Sequence, residues 1–131
     1  NNFVKTMSRL MQERDSLSVV NDQIGSPTYA ADLAQAIMTI LTHDSWQAGI
    51  YNFSTEGEIR WYEFALAIQK IGQFDCVISG IPSSAYPTPA KRPQYSLLDK
   101  TKIKTTFGVV VPEYKESLKA CMKLLVSSEK T

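Results

Sequence analysis

The sequence predicts a mixed fold of helices and short strands, in the α/β or α+β class. Segments whose apolar residues recur at helical spacing alternate with short apolar runs that are typical of strands. This alternation is the usual signature of sheets covered by helices. The predicted strands are also few, and a sheet of two or three short strands needs helices or a partner to cover it. The 131 residues therefore fit a region that another part of the polypeptide normally completes.

The first element is an amphipathic helix predicted over residues 2–14. Its charged residues lie largely off the apolar face, as expected for a surface helix. The apolar face consists of Phe3, Met7, Leu10 and Met11. A short apolar run at residues 17–20 predicts a strand directly after it.

A second helix is predicted over about residues 28–43, after a loop of turn-forming residues at 21–27. Ser26 before Pro27 is one candidate for its N-cap, and Thr28 is the other. Its apolar stripe consists of Leu33, Ala34, Ile37, Ile40 and Leu41.

The next segments predict a buried strand at residues 49–53, a third helix closed by Gly72, and a strand at residues 76–81. The stripe of that helix consists of Trp61, Phe64, Ala65, Ile68 and Ile71.

Residues 82–95 contain four prolines, which forbid a continuous helix and remove donors from any strand. They predict an extended, fairly rigid loop. Asp99 then caps a short helix that ends at Gly108, and Pro112 opens a last helix. The inward residues of that last helix are Tyr114, Leu118, Met122 and Leu125.

Composition excludes several classes of protein. The net charge of +1 and 44% hydrophobic content describe an ordinary globular chain, with no basic excess for nucleic acid or an anionic membrane. No apolar run approaches the roughly 20 residues that span a bilayer. The start is not a signal peptide and lacks an initiator Met, so we expect a piece of a longer chain.

Cys76 and Cys121 are interpreted as reduced, packed thiols of a cytoplasmic protein, with a single disulfide as the alternative. His43 reads as a helix-end residue, and no metal site is predicted.

Catalytic machinery is missing from the sequence. It contains no GxGxxG dinucleotide fingerprint and no phosphate-binding P-loop. None of its six tyrosines is followed four residues later by lysine, the pairing used by short-chain dehydrogenases. The carboxylate pairs Glu56/Glu58 and Glu113/Glu116 read as solvated helix starts. We therefore predict no catalytic residue and no bound cofactor for this chain alone.

Two segments have binding chemistry. Arg92 lies in the proline-rich loop, and its planar guanidinium suits phosphate oxygens. A stiff loop lowers the entropy lost when the arginine is ordered by a ligand. An ordinary surface arginine is the competing interpretation. The polar loop at residues 21–28 runs into a helix N-terminus, which favours anions; an ordinary strand–helix connector is the competing interpretation there.

Several runs resemble the dTDP-4-dehydrorhamnose reductases, which are extended short-chain dehydrogenases. The most specific runs are LSVVNDQIGSPTYAADLA at 17–34 and SAYPTPAKRP at 84–93, supported by NFVKTM at 2–7, GIYNFS at 49–54 and WYEFA at 61–65. The order and spacing agree over about residues 1–125. The resemblance implies an α/β fold, with residues 1–131 as the C-terminal, dTDP-sugar-binding part of a Rossmann-type enzyme and the cofactor-binding Rossmann domain lying outside this chain.

The resemblance also implies site residues. It places Asn2, Phe3 and Arg92 near the nucleotide diphosphate, and Ser18 to Val20 beside the base. It places Gln23 and Thr28 along the sugar-nucleotide cleft. These residues are expected to bind substrate, while NADPH or NADH is bound elsewhere in the full-length parent.

The resemblance leaves the wider assignment open in three ways. In the main interpretation, the complete protein reduces dTDP-4-dehydro-L-rhamnose to dTDP-L-rhamnose, and the resemblance is compatible with a homodimer. The first alternative is a non-catalytic subunit similar to the regulatory subunit of methionine adenosyltransferase, and the second is a free-standing interaction domain. Related epimerases carry an arginine where this chain has residues 25–28, and Arg60 replaces the usual serine cap before the Trp61-Tyr62 pair.

Overall fold

The structure, a computed structural model, describes residues 2–128. Its elements, in chain order, are α1 (Phe3–Glu13), β1 (Ser16–Val20), β2 (Ile24–Gly25), α2 (Ala30–Leu41), β3 (Ile59–Arg60), α3 (Trp61–Gly72), β4 (Val77–Ile81), a 3-10 turn (Ser83–Ala85), α4 (Thr101–Phe107) and α5 (Tyr114–Ser128). Helices 1 to 5 and strands β1 and β4 confirm the sequence prediction to within a few residues. Among residues 2–128, no helix combines the length and apolar character needed to cross a bilayer.

Strands β1 and β4 form a two-stranded parallel sheet, with Ser16 opposite Val77 and Val20 opposite Ile81. Alternate side chains, such as Leu17 and Val19, point into the core while Ser18 is exposed, as the period of two requires. Helices α1 and α3 cover the buried face of this sheet, and α5 packs against α3 and adds Leu118 and Met122 to the same core. Ile68 of α3 is fully buried at the centre. The parallel pairing matters for function because it brings the carboxyl ends of both strands to the same edge.

A second, smaller core joins α2 to α4. Ala36 packs with Ile103, Phe107 and Val109, and Tyr51 lies against the Phe107 ring at 5.0 Å between centroids. Helix α4 ends at Gly108, whose φ of 63° is left-handed, as predicted for a C-terminal glycine. Lys100 is the N-cap residue of α4 and makes no side-chain cap hydrogen bond, so the predicted Asp99 cap is wrong by one residue. Asp99, just before the cap, still accepts a hydrogen bond from the Thr101 amide at 2.8 Å.

The predicted buried strand at residues 49–53 is wrong for this chain. These residues form no strand, and Ile50 is 87% exposed. The apolar sequence is suited to a strand, but a strand forms only where neighbouring backbone supplies its hydrogen bonds. Among the described residues no strand pairs with this segment.

Helix α2 presents much of its predicted apolar stripe to solvent. Leu33, Ile37 and Leu41 are 39%, 48% and 67% exposed, while Ala36 on another face is buried. Tyr29 occupies the N-cap position without a side-chain cap, so the predicted Ser26 and Thr28 caps are wrong. The Ser26 hydroxyl instead donates to the Gly57 carbonyl, because β2 draws this loop towards β3.

Candidate functional site

The carboxyl ends of β1 and β4 carry polar residues that meet across the sheet edge. The Ser83 amide donates to Asp22 Oδ2 at 2.9 Å, and the Ser83 hydroxyl donates to Asp22 Oδ1 at 2.5 Å. Gln23 Nε2 donates to the same Ser83 hydroxyl oxygen at 2.9 Å. Ligands in α/β proteins bind outside the carboxyl ends of parallel strands. This edge is therefore a natural place for a binding site.

Backbone hydrogen bonds also hold the C-terminal end of the proline-rich loop. The Ile24 amide donates to the Gln94 carbonyl at 2.7 Å, and the Ser96 amide donates to the Ile24 carbonyl at 2.9 Å. Gly25 allows this approach, because a Cβ there would lie 2.9 Å from Ser96 Oγ. Residues 22–24 thus hold both ends of the loop, which confirms the predicted loop and adds a short 3-10 turn at its start.

Between the fastened ends lies a cleft of about 770 Å³, named here the proline-loop cleft. It is lined by Gln23, Ser83, Ser84, Tyr86, Pro87, Thr88, Pro89, Ala90, Lys91, Arg92, Pro93 and Gln94. Its volume lies in the range of small-molecule sites, about 300–1,000 Å³. The structure brings Gln23 and Arg92 into one cleft, although 69 positions separate them in the sequence.

The proline-loop cleft combines cations with neutral hydrogen-bonding groups. Lys91 and Arg92 are exposed, and among the described residues neither head group has a hydrogen bond or ion pair. The pKa of Asp22 is held below its ordinary value, first by the Ser83 hydroxyl and then by the Ser83 amide. Its two oxygens are thus already bound on the protein side. The cleft can therefore bind an anionic, hydroxyl-rich ligand.

Three other predicted site residues line a second cleft, of about 420 Å³, named here the aromatic cleft. Asn2, Phe3 and Thr28 contribute to it together with the Trp61 and Tyr114 rings. Asn2 Oδ1 accepts from the Lys5 amide at 3.0 Å and so caps α1. The Phe3 ring centroid lies 5.0 Å from that of Trp61. Asn2 and Phe3 thus have structural roles that do not depend on a ligand.

Ser18 and Val20 line neither cleft. Ser18 is on the exposed face of β1, and Val20 is half-buried at its carboxyl end. The structure thus divides the predicted site residues among two clefts and a strand. Asp22 and Ser83 were not predicted as site residues. Asp22 lay within the quoted motif, but nothing in the sequence pattern of Ser83 indicates that the two meet.

One predicted solvated carboxylate is instead part of an ion network. Glu56 pairs with Lys104 and with Lys100, the latter at 3.3 Å. The pKa of Glu56 is lowered, mainly by the hydrogen bond from Lys104 and further by Lys100, while partial burial opposes both. Cys76 and Cys121 are free thiols, as predicted, and burial raises the pKa of Cys121. Within residues 2–128 no three potential metal-binding side chains cluster.

Comparison with known proteins gives a consistent assignment. Residues 1–127 match the family described as the RmlD substrate binding domain. The chain is 43% identical to the dTDP-4-dehydrorhamnose reductase of Aggregatibacter actinomycetemcomitans over 129 residues, covering 91% of this chain and 44% of that protein. The reductase structure from Clostridium acetobutylicum superposes with a TM-score of 0.89 at 38% identity, covering 95% of this chain and 44% of the other.

The corresponding enzyme from Bacillus anthracis, solved in complex with NADP, gives a TM-score of 0.81 at 37% identity, covering 91% of this chain and 41% of the other. The chain thus spans less than half of the length of each of these relatives. The α/β fold predicted from the sequence, as the C-terminal part of an extended short-chain dehydrogenase, is confirmed.

Proposed function

The chain belongs to the family of the RmlD substrate binding domain, and on that premise we propose that it binds the dTDP-sugar in a dTDP-4-dehydrorhamnose reductase. The complete protein would reduce the C4 ketone of dTDP-4-dehydro-L-rhamnose to give dTDP-L-rhamnose, with NADPH or NADH as hydride donor. All three relatives compared above are named as this reductase. That favours the reductase over a non-catalytic regulatory subunit or an interaction domain.

The proline-loop cleft is the observation that carries this proposal. A nucleotide sugar presents a diphosphate and many hydroxyls, and the cleft presents Lys91 and Arg92 beside the Gln23 amide. The Arg92 guanidinium can form two parallel hydrogen bonds to phosphate oxygens. Because the loop is fastened at both ends, Arg92 is presented with little ordering cost on binding.

The remaining predicted contacts are also proposals. In the complete protein, Asn2, Phe3 and Thr28 would face the sugar nucleotide from the aromatic cleft, whose rings suit an apolar or planar group. Ser18 and Val20 would lie beside the base only if the ligand extends along β1 from its carboxyl end.

The dinucleotide cofactor does not fit this chain by itself. The sequence has no glycine-rich turn that would let backbone amides approach a pyrophosphate, and no Tyr-x-x-x-Lys pair. We therefore propose that the rest of a longer protein holds NADPH or NADH and donates the proton. The exposed stripe of α2 and the unpaired segment at residues 49–53 support this, because a Rossmann sheet would cover the first and pair with the second.

The test is a calorimetric titration of the full-length protein with dTDP-L-rhamnose. Arg92→Ala should weaken binding about tenfold or more, since a hydrogen bond to a charged group contributes about 1.5–3 kcal/mol. Arg14→Ala is the matched control, because Arg14 is exposed and lies just after α1. Equal affinities for the Arg92 variant and the wild-type protein would remove the site assignment.

A second measurement tests whether the cofactor site and the proton donor lie outside this chain. This chain alone should not oxidise NADPH in the presence of the keto-sugar, whereas the full-length protein should. Turnover by the pure chain would contradict the proposal. The free thiols Cys76 and Cys121 support the proposed cytoplasmic location. We also propose a homodimer of the full-length protein, which light scattering would test by measuring its mass in solution.

A further inference from the structure

The hydrogen bonds around Ser83 have a definite direction. An ionised carboxylate only accepts, so the Ser83 hydroxyl must give its single proton to Asp22. The Ser83 oxygen is then left as an acceptor. Gln23 can satisfy it only with its amide nitrogen, at 2.9 Å. Asp22 therefore dictates which end of the Gln23 amide faces Ser83.

The consequence reaches the proline-loop cleft. With one Nε2 hydrogen given to Ser83, the orientation of the amide is fixed, and the carbonyl oxygen Oε1 of Gln23 is the acceptor left for a ligand in the cleft that Gln23 lines. An amide oxygen accepts hydrogen bonds from hydroxyls and repels phosphate oxygens. Lys91 and Arg92 provide the opposite chemistry in the same cleft. The cleft thus has a cationic part suited to a diphosphate and an acceptor suited to a sugar hydroxyl.

We propose that Asp22, acting through Ser83, is a positioning residue that fixes Gln23 as an acceptor for a hydroxyl of the bound nucleotide sugar. This inference rests on the proposed function, since it needs a sugar nucleotide in the proline-loop cleft. Both oxygens of the Asp22 carboxylate accept hydrogen bonds from Ser83, and Asp22 is not among the residues that line the proline-loop cleft. Its effect on the ligand must therefore pass through Ser83, and the inference is that Ser83 passes it on to the Gln23 amide.

The substitution Asp22→Asn reverses the direction of these hydrogen bonds while preserving the shape of the side chain. The new amide oxygen would accept from the Ser83 backbone, so its NH₂ would donate to the Ser83 hydroxyl. The Ser83 proton would then turn to Gln23, whose oxygen would face Ser83 and whose NH₂ would face the ligand. The acceptor in the cleft would be lost without removal of any side chain that lines it.

The experiment is a double-mutant cycle on dTDP-L-rhamnose affinity in the full-length protein. Asp22→Asn and Gln23→Ala should each weaken binding about five- to tenfold, the usual effect of one lost hydrogen bond. The double variant should bind no more weakly than Gln23→Ala alone, because Asp22 acts only through that amide. Asp75→Asn, which removes an exposed carboxylate elsewhere, should leave affinity unchanged.

Two outcomes overturn the inference while the proposed function survives. One is wild-type affinity in Asp22→Asn. The other is a full Asp22→Asn loss on the Gln23→Ala background, which indicates a purely structural role. If Asp22→Asn does not fold, Ser83→Ala and Ser83→Thr make the same test: the threonine variant should retain affinity and the alanine variant should lose it, and equal losses count against the inference. A wild-type protein that does not bind dTDP-L-rhamnose overturns the proposed function, and the inference with it.

Discussion

Replacement of Lys100 by methionine should loosen the connection between α4 and α5. Lys100 is only 6% exposed, and its ammonium group contacts Glu56 and the Thr55 carbonyl, each at 3.3 Å. Thr55 is itself fully buried. The backbone of Glu56 joins this site to α5, because its amide donates to Pro112 and its carbonyl accepts from Tyr114. Methionine keeps the packing of the aliphatic stem and removes the charge.

The expected loss in the free energy of local opening depends on the groups that lose Lys100 as a partner. Breaking a buried ion pair by removing one partner typically costs about 3–5 kcal/mol. Glu56 retains Lys104 and its side chain is 28% exposed, so the cost here should be smaller. The Thr55 carbonyl loses one donor but keeps the Ser54 hydroxyl, at 3.4 Å, so this loss should cost no more than one ordinary hydrogen bond, about 0.5–1.5 kcal/mol. Together with the weakened ion pair of Glu56, we expect about 2 kcal/mol for local opening.

Hydrogen exchange of the Glu56 and Tyr114 amides, followed by mass spectrometry of the full-length protein, measures this opening directly. About 2 kcal/mol corresponds to roughly 30-fold faster exchange. Lys119→Met is the control, because its pair with Glu116 has side chains 61% and 69% exposed and should contribute under about 1 kcal/mol. Exchange in the Lys100 variant no faster than in the control would refute this reasoning.

Three further predictions test other parts of the structure. Because the folded pKa of Glu56 lies below its ordinary value of 4.5, its stabilising contribution is present above that pH and is lost as the pH falls through the folded pKa. Glu56→Gln should therefore flatten the acid side of a thermal-melting profile, and a profile parallel to wild type would contradict this. Gly57→Ala should lower the melting temperature by several degrees, since Gly57 has φ +104° and a Cβ there would lie 2.5 Å from the Tyr114 ring; an unchanged melting temperature would count against it. The isolated chain should self-associate through the exposed face of α2, and Ile37→Asp should reduce this in light scattering, whereas a wild-type monomer at high concentration would show that the face needs no cover.

Local patterns predicted most of the elements of this fold. The helices over Trp61–Gly72 and Tyr114–Ser128 follow from apolar spacing, which depends only on the geometry of a single helix. The proline-rich loop follows from the missing amide donors of its prolines. By contrast, the segment at residues 49–53 has a strand-like sequence and forms no strand here, because pairing requires a neighbour that no local pattern can supply.

The candidate site was predicted only in part, for the same physical reason. Arg92 and Gln23 were each singled out from their own segments and from a resemblance, since a guanidinium or an amide has its chemistry wherever it lies. That they share one cleft follows from the parallel register of β1 and β4, which brings Asp22 to Ser83 across 61 positions of sequence. Residue type and spacing by themselves determined which groups this protein can offer to a ligand. Tertiary structure alone decided which of those groups meet, because hydrogen bonds between distant strands depend on the folded positions of both partners.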